Sequence, residues 1–395
     1  MSRVHVFTRS LSEQIIRAAS SFYAVSVVGP RQSGKTTLLK MLFPEHHYIN
    51  LEDLDTLAKI SLDPKGYLGV KSRKWIIDEA QEYPELFSYL LGIIDENKIK
   101  GQFILSGSQN FALLNNISQS LAGRVAVLEL LPLTYQELSS FGNYTRASIW
   151  HLIYQGSYPG PYYDQAPTDL WYKSYVTTYL QRDVRHLLKI KNLAQFHLFL
   201  KLCAGRHAQI LNLSELGGAC GVSHTTASEW LSVLEASFII FRLQPYYKNF
   251  DKRLVKMPKL YFYDAGLVCH LLGIESAEHA ELHAARGALF EGFVISEIVK
   301  QIVAKAKTPN VYFWHSPKNL EVDVLVEQGN ILKAIEIKSS STFTREFIGQ
   351  LQKWRQIYND DSTLQNYVVY SGLESFTSGE IKVLSYNNLN GLALN

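Results

Sequence analysis

An eight-residue segment constrains the fold of this chain more than any other feature of its sequence. The stretch "YAVSVVGPRQSGKTTLLKML" places Gly29–Thr36 between a β-branched run, Val25–Val28, and a helical run, Thr37–Phe43. The segment matches the pattern G-x-x-x-x-G-K-[ST], which joins a buried strand to a helix through a loop. The sequence therefore predicts an α/β fold built around a strand, a glycine-rich loop and a helix. An ordinary glycine-rich turn is the alternative.

The residue types of this loop suit a phosphate ligand. Backbone N–H groups at the start of a helix attract anions, and glycines let them close around a phosphate. We expect Lys35 to reach the β- and γ-phosphates of a nucleotide and the Thr36 hydroxyl to bind Mg²⁺. The residues expected to contact the nucleotide are Gly29, Pro30, Arg31, Gln32, Ser33, Gly34, Lys35, Thr36 and Thr37.

A second apolar run ends in two carboxylates. In "KWIIDEAQEYP", Trp75–Ile77 reads as a buried parallel strand, and Asp78 and Glu79 follow at its carboxyl end. Ligands of open α/β sheets bind at that edge. We expect Asp78, on a strand that neighbours the loop strand, to hold Mg²⁺ through water. Glu79 is expected to polarise the attacking water, so the predicted catalytic residues are Glu79, Asp78 and Lys35.

Two further positions are candidates for sensing the γ-phosphate. Polar residues follow the buried run Phe103–Leu105 in "GQFILSGSQN", and either Ser108 or Gln109 is the candidate sensor. Arg124 follows an Ala-Gly pair that indicates a helix end. We interpret Arg124 as an arginine finger, acting within the chain or on a neighbouring copy, or as a surface residue beside a strand.

The middle of the chain has a pattern typical of a nucleic-acid-binding module. After a Pro/Gly-rich break, "LNLSELGGACGVSHTTASEWL" predicts two short helices separated by a tight turn, and a strand follows. Helix–turn–helix–strand is a winged-helix pattern, in which His224, Thr225 and Thr226 begin the second helix. A protein-contact module is the alternative, because such helix pairs also serve that purpose.

Charge favours an anionic partner for this middle part. Residues 171–206 carry seven Lys or Arg against one acid, Asp183, although the net charge of the whole chain is only +3. Further along, aromatic residues alternate with bases, among them Lys248, Lys252 and Arg253. Cationic groups meet phosphates and aromatic rings stack on bases, so DNA or another nucleic acid is the expected partner.

The stretch "EVDVLVEQGNILKAIEIKSS" places charges inside apolar runs. It predicts a β-hairpin, and an even-numbered loop would put Asp323, Glu336 and Lys338 on one face of the paired strands. A two-residue turn at Gly329-Asn330 would make the two acids direct opposites. Glu291, on an upstream amphipathic helix, could supply a third carboxylate. The group could hold a second divalent metal at Asp323 and Glu336, or it could be a buried ion-pair cluster.

These residues and motifs carry a resemblance to known families. Asp323, Glu336-x-Lys338 and a helical Glu291 resemble the PD-(D/E)XK restriction-endonuclease-like fold. The order "GPRQSGKTT", "WIIDEAQ", "SLAGRV", "TYLQRDV", "GALFEGFV" and "AIEIKSS" resembles bacterial and archaeal AAA-type ATPases that end in an uncharacterised domain. The resemblance implies ATP binding at the glycine-rich loop and hydrolysis with Asp78 and Glu79.

The expected fold class is therefore α/β multidomain, in three parts. A P-loop NTPase αβα sandwich covers residues 1–150, a helical and winged-helix segment covers 151–284, and a restriction-endonuclease-like α/β domain covers 285–395. The expected function is a Mg²⁺-dependent ATPase that couples nucleotide state to nucleic-acid binding or remodelling. An ATP-dependent DNA nuclease and a nucleotide-gated protein-binding switch are the alternatives.

Composition excludes few partners but points to a compartment. No apolar run approaches the roughly 20 residues of a membrane-spanning helix, and the first residues do not resemble a signal peptide. The three cysteines are too scattered for a disulfide framework or a zinc site. We expect a cytoplasmic protein that does not bind membranes. A protein partner and self-association into a homo-oligomer remain open.

Overall fold

A computed structural model describes most of the chain, with several gaps. The described residues are 8–107, 117, 120–140, 148–180, 193–246, 257–316, 320–358 and 364–394. They fall into two compact units. The first comprises the chain up to Leu133 with Ala236–Phe238 and Val303–Lys307, and the second comprises Thr134–Glu235, Ile239–Ile302 and Thr308–Asn395.

The first unit is a parallel sheet with helices. Its five strands lie in the order β2-β3-β4-β1-β5, and every described pairing is parallel. The strands are β1 (Ala24–Val28), β2 (His47–Asn50), β3 (Trp75–Asp78), β4 (Phe103–Gly107) and β5 (Val125–Glu129). The helices are α1 (Ser12–Ser21), α2 (Lys35–Leu42), α3 (Leu54–Leu62), α4 (Pro64–Leu68) and α5 (Leu86–Asn97), with a 3₁₀ turn at Ala80–Glu82.

Continuous burial explains why β1, β3 and β4 read as apolar runs. Every residue of these three strands is buried, as expected for parallel strands covered on both faces. Helices α1 and α2 supply Ile15, Leu38 and Leu39 to the core around β1. The predicted parallel α/β fold is confirmed. One detail is wrong: β4 lies between β1 and β3, so Asp78 ends the strand two places away from the loop strand.

The second unit begins with helices and a small antiparallel group of strands. The helices are α6 (Tyr135–Ser139), α7 (Ile149–Gln155), α8 (Gly160–Tyr163), α9 (Thr168–Ser174), α10 (Leu193–Gly205), α11 (Leu213–Cys220), α12 (His224–Ala236), α13 (Ala265–Leu271) and α14 (Ala277–Leu282). A π-helical turn covers Tyr175–Leu180. The strands are β6 (Gln209–Ile210), β7 (Ile240–Pro245) and β8 (Lys259–Phe262).

The rest of the second unit is a long helix followed by a mixed sheet. Its elements are α15 (Arg286–Val303), β9 (Val311–His315), β10 (Glu321–Gln328), β11 (Ile331–Lys338), α16 (Gly349–Tyr358), β12 (Leu364–Tyr370), β13 (Phe376–Ser378) and β14 (Ile381–Ser385), with 3₁₀ turns at Arg345–Ile348 and Tyr386–Leu392. Nine strands join in the order β13-β14-β12-β11-β10-β9-β7-β8-β6. The two segments predicted to meet near residue 284 therefore share one sheet.

Membrane insertion has no support among the described helices. None of them is both long enough and apolar enough to cross a bilayer.

Candidate functional site

The glycine-rich loop closes at the carboxyl end of β1, where its backbone needs glycine. Gly29 has φ 154°, and a Cβ built there would lie 2.2 Å from the Leu130 carbonyl oxygen. Gly34 has φ 90° and immediately precedes the first residue of α2. Both positions lie in the region of backbone space that favours glycine. The loop thus has the tight shape that a phosphate-binding loop needs.

Lys35 lies inside the loop. It is 6% exposed, and its Nζ donates to the carbonyl oxygens of Gly29 at 2.9 Å and Pro30 at 2.8 Å. The ammonium group is therefore held within the curve of backbone that would surround a phosphate. The Ser33 hydroxyl oxygen is buried there and has no hydrogen-bond partner among the described residues. These features fit a triphosphate, since a buried orphan hydroxyl calls for a further partner.

Asp78 brings three hydroxyl groups together at the end of β3. Its Oδ2 accepts from Thr36 Oγ1 at 2.6 Å and from Tyr48 at 3.0 Å, and its Oδ1 accepts from Ser106. Asp78 is 5% exposed. Burial and the Asp78 carboxylate raise the pKa of Tyr48 above its usual range. Thr36 and Asp78 are the pair predicted to hold Mg²⁺, and oxygen ligands of this kind suit that ion.

Glu79 has an unusual backbone conformation beside this pair. Its φ is 51°, and its Oε2 accepts a hydrogen bond from Gln81 Nε2 at 2.5 Å. A non-glycine residue at positive φ is uncommon and is found at functional sites. The carboxylate is half-buried. Its position directly after Asp78 suits the predicted role of polarising a water.

Arg9 is a residue of this site that the sequence did not suggest. Its guanidinium donates to the carbonyl oxygens of Ser33 at 2.7 Å and Leu131 at 2.5 Å, and the side chain is 7% exposed. It therefore joins the glycine-rich loop to the segment that leaves β5. No local pattern around Arg9 could reveal contacts that span 24 and 122 residues.

Other predicted nucleotide contacts are placed less closely. Arg31 lies in the loop, 3.7 Å from Glu52, and Gln32 has φ 60°. Thr37 is exposed on α2. The candidate sensors Ser108 and Gln109 lie outside the described residues. Ser106, on the strand that leads to them, contacts Asp78 instead.

Arg124 is at the other edge of the sheet. It precedes β5, and its carbonyl accepts from Ala24 N at the start of β1, whereas the glycine-rich loop follows the end of β1. Its guanidinium bonds both oxygens of Asp95, at 2.8 and 3.2 Å. The prediction that Arg124 acts on the nucleotide of its own chain is wrong. The side chain is partly exposed, as a surface residue beside a strand would be.

The predicted hairpin forms with the register that brings its charges together. Gln328 pairs with Ile331 and Val324 with Ile335, so the loop is Gly329-Asn330 and Asp323 lies opposite Glu336. Asp323 Oδ2 accepts from the backbone N–H of Ile337 at 2.7 Å. Lys338 Nζ donates to Glu336 Oε1 at 2.5 Å.

Residues from two other elements complete what we call the charged cluster: Lys259, Tyr261, Glu291, Glu321, Asp323, Glu336 and Lys338. Glu291 Oε1 accepts from Tyr261 at 2.5 Å and lies 3.3 Å from Lys259 Nζ. Lys259 also pairs with Glu321 at 2.5 Å. Lys259 belongs to the basic stretch interpreted as facing phosphates. That interpretation is wrong for this residue, because it is buried at 6% exposure.

Burial and crowding keep protons on the cluster. Burial and the neighbouring Asp323 raise the pKa of Glu291 to about 7 and that of Glu336 to about 8. Burial also raises the pKa of Asp323, against the pull of Lys338. For Lys338 burial acts in the opposite direction, but Glu336 and Asp323 outweigh it and raise the pKa.

The carboxylates of this cluster are not arranged as a metal centre. Among the described residues, no group of three or more His, Cys, Asp or Glu side chains could hold a metal ion. Glu291, predicted as a third ligand beside Asp323 and Glu336, bonds Lys259 and Tyr261 instead. In this structure the cluster therefore matches the ion-pair alternative more closely than the metal-site prediction.

The helix pair predicted in the middle of the chain is present. Helices α11 and α12 precede β7, and Ser223 Oγ accepts from Thr226 N at 3.1 Å as the cap of α12. His224 and Thr225 are exposed and Thr226 is half-buried. The bases Lys248, Lys252 and Arg253 lie outside the described residues.

Three family models match successive parts of the chain. A model described as an AAA domain matches residues 21–139. Two domains of unknown function, DUF8612 and DUF4143, match residues 146–278 and 286–389. The AAA match includes the glycine-rich loop, Asp78 and Ser106. The chain therefore carries an AAA-type P-loop ATPase domain, a class that binds ATP, generally with Mg²⁺.

Relatives cover most of the chain. The uncharacterised protein Rv2008c of Mycobacterium tuberculosis is 32% identical over 342 residues, which are 85% of this chain and 74% of that protein. This chain belongs to its family. The uncharacterised protein MJ1544 of Methanocaldococcus jannaschii is 22% identical over 76% of this chain and 71% of that protein. The Walker-type ATPase paby2304 of Pyrococcus abyssi, a solved structure, is 14% identical with a TM-score of 0.48, over 68% of this chain and 97% of that chain.

Proposed function

We propose that this protein is a Mg²⁺-dependent ATPase whose nucleotide state controls nucleic-acid binding or remodelling by its second unit. The hydrogen bond between Thr36 and Asp78, 2.6 Å long and beside the buried Lys35, carries the first half of the proposal. It joins a loop hydroxyl and a strand carboxylate at the carboxyl edge of the sheet, where a metal–phosphate ligand binds.

Each residue has a distinct task in this proposal. Lys35 exchanges its bonds to the loop carbonyls for bonds to the β- and γ-phosphates. Thr36 and Asp78 hold Mg²⁺, which neutralises charge as the γ-phosphoryl group leaves. Tyr48 and Ser106 keep the Asp78 carboxylate in one orientation through their hydrogen bonds. Glu79, oriented by Gln81, positions the attacking water.

Charge and exposed polar residues support the nucleic-acid half of the proposal. The helix pair α11–α12 presents His224 and Thr225 to solvent, and residues 171–206 carry a large excess of bases. Phosphate contacts dominate the affinity of nucleic-acid binding, and residues at the start of a second helix are the ones that reach a groove.

Turnover of ATP with and without DNA tests this half. We expect single- or double-stranded DNA to stimulate phosphate release by the wild type and not by Lys35→Ala. Binding of DNA should weaken steeply with salt. Neutralising Lys248, Lys252 and Arg253 should reduce the salt slope by roughly one for each phosphate that the protein no longer neutralises. Indifference of turnover to DNA, with no DNA retained at moderate salt, would favour the nucleotide-gated protein-binding switch.

The assembly of the charged cluster favours a second candidate function, an ATP-dependent DNA nuclease. Asp323, Glu336 and Lys338 converge from two strands of one hairpin, and Glu291 approaches from the preceding long helix. This order of elements and residues resembles the PD-(D/E)XK pattern. The test is cleavage of DNA with Mg²⁺ or Mn²⁺, which Asp323→Ala should abolish while ATP turnover survives. Cleavage unchanged by Asp323→Ala would argue against the cluster as its site.

A further inference from the structure

Lys259 occupies the position of a cation among carboxylates that come from separate elements. Its Nζ lies 2.5 Å from Glu321 Oε1 at the start of β10 and 3.3 Å from Glu291 Oε1 on α15. The side chain is 8% exposed, compared with 34% for Lys338, the other ammonium group of the cluster. The ammonium of Lys259 is therefore the more deeply enclosed of the two.

Strand β8 supplies more than this one group. Tyr261, two residues further along the same face of the strand, donates to the same Glu291 oxygen. Lys259 and Tyr261 together account for the contacts of that oxygen. A metal ion that approached Glu291 would have to displace both of them.

The cluster is nevertheless short of positive charge. Four carboxylates, Glu291, Glu321, Asp323 and Glu336, face the two lysines. Glu336 is 3% exposed, and its Oε2 is buried without a hydrogen-bond partner among the described residues. A buried carboxylate oxygen without a partner is costly. This orphan oxygen marks the place where a further cation could be accepted.

We propose that Lys259 is a built-in cation of the charged cluster, which excludes divalent metal ions from its carboxylates while it stays in place. An ammonium group and a divalent ion repel each other, and both need the oxygens of Glu291 and Glu321. Lys259 thereby decides whether the cluster takes a metal. The inference rests on the cation-dependent role proposed above for the same carboxylates.

Binding of Mn²⁺ to the full-length, nucleotide-free protein tests the proposal. Free Mn²⁺ is followed by electron paramagnetic resonance during titration of the wild type, Lys259→Met and Lys259→Arg. Lys300→Met is the matched control, because Lys300 is also buried, at 2% side-chain exposure, and pairs with Glu297 on α15 outside the cluster. Far-ultraviolet circular dichroism checks the fold. Lys259→Gln, which keeps a hydrogen-bond donor, replaces Lys259→Met if that variant does not fold.

We expect Lys259→Met to bind about one more Mn²⁺ per chain, at least about tenfold more tightly than the wild type. The added Asp323→Asn change should remove this binding, which separates it from metal bound at the glycine-rich loop. Lys259→Arg and Lys300→Met should behave as the wild type. Equal binding by the wild type and Lys259→Met would overturn the proposal, and so would a gain in Lys259→Arg as large as in Lys259→Met. Cleavage is not measured, so a failure of the nuclease function leaves this result unchanged.

Discussion

A single carboxylate, Asp78, organises the nucleotide site. It accepts hydrogen bonds from Thr36, Tyr48 and Ser106, which come from a helix and two strands. The sequence predicted Thr36 and Asp78 because the loop motif and the strand-end acid have recognisable spacing. It did not predict Tyr48 or Ser106, because a lone hydroxyl at a strand has no distinctive pattern. Their contacts depend on the order of strands in the sheet.

Two adjacent threonines give a matched comparison at this site. Thr36→Ala removes the hydroxyl that contacts Asp78, whereas Thr37→Ala removes an exposed hydroxyl on the same helix. We expect Thr36→Ala to lower Mg²⁺-dependent ATP turnover about 100-fold and to raise the Mg²⁺ concentration needed. Thr37→Ala should change turnover by less than about threefold. Equal losses in the two variants, measured as phosphate release over a Mg²⁺ titration, would contradict the assignment of Thr36.

Gly29 and Gly92 make a second matched pair. A Cβ at Gly29 would meet the Leu130 carbonyl at 2.2 Å, while one at Gly92 in α5 would meet nothing within 4 Å. We expect Gly29→Ala to destabilise the first unit by about 1–3 kcal/mol and to abolish ATP binding, because the loop must move. Gly92→Ala should be neutral or stabilise by up to about 1 kcal/mol. Urea unfolding and ATP titration measure both effects, and a Gly29→Ala variant that still bound ATP normally would refute the account of this loop.

At the scale of elements, the hairpin β10–β11 shows how far sequence patterns reach. Alternation and the Gly329-Asn330 pair predicted its loop and the facing of Asp323 and Glu336, and the observed register agrees. The partners of Glu291 were not predictable. Lys259 and Tyr261 are 32 and 30 residues away from it in sequence. Lys259 also sits within a basic stretch whose composition suggested solvent and phosphate.

Glu336 gives the second unit a pH-dependent stability of definite sign. Burial and Asp323 raise its pKa to about 8, so the native chain holds a proton that the unfolded chain releases near pH 4.3, the ordinary value. This stabilisation is complete below the unfolded pKa and is lost as the pH rises through 8. We expect the free energy of unfolding to fall by about 1.4 kcal/mol per pH unit between these values for this one proton.

Urea unfolding between pH 5 and 9 measures this slope. Glu336→Gln should remove the contribution of that proton and flatten the curve. Glu327→Gln, on the same hairpin, should leave the slope as it is in the wild type. An unchanged slope in Glu336→Gln would show that Glu336 is ionised in the folded chain across the whole range.

At the scale of the whole molecule, the two units carry different kinds of site. The first has a nucleotide site made from loop backbone, an ammonium group and a carboxylate. The second has a sheet of nine strands with the charged cluster on it. The sequence predicted the class of the first unit from one motif and its spacing. It predicted the joined sheet less well, because a pairing such as that of β7 with β9 depends on contacts across 68 residues.

Separating ATP binding from ATP hydrolysis tests the division of tasks within the first unit. Glu79→Gln keeps the shape of the side chain but removes the charge that would polarise water. We expect this variant to bind ATP within about threefold of the wild type and to release phosphate at least about 100 times more slowly. Gln81→Ala should give a smaller loss, since Gln81 only orients Glu79. Titration calorimetry and a single-turnover assay provide the two readings. A fast Glu79→Gln variant would assign the catalytic base elsewhere.

The most direct measurement is phosphate release from ATP by the purified full-length protein, with and without Mg²⁺. Wild type should be compared with Lys35→Ala and with Lys59→Ala, which removes an exposed lysine from α3. We predict Mg²⁺-dependent release by the wild type and Lys59→Ala, and a loss of at least about 100-fold in Lys35→Ala. A folded wild type that neither binds nor hydrolyses ATP with Mg²⁺, or a Lys35→Ala variant as active as the wild type, would contradict the account.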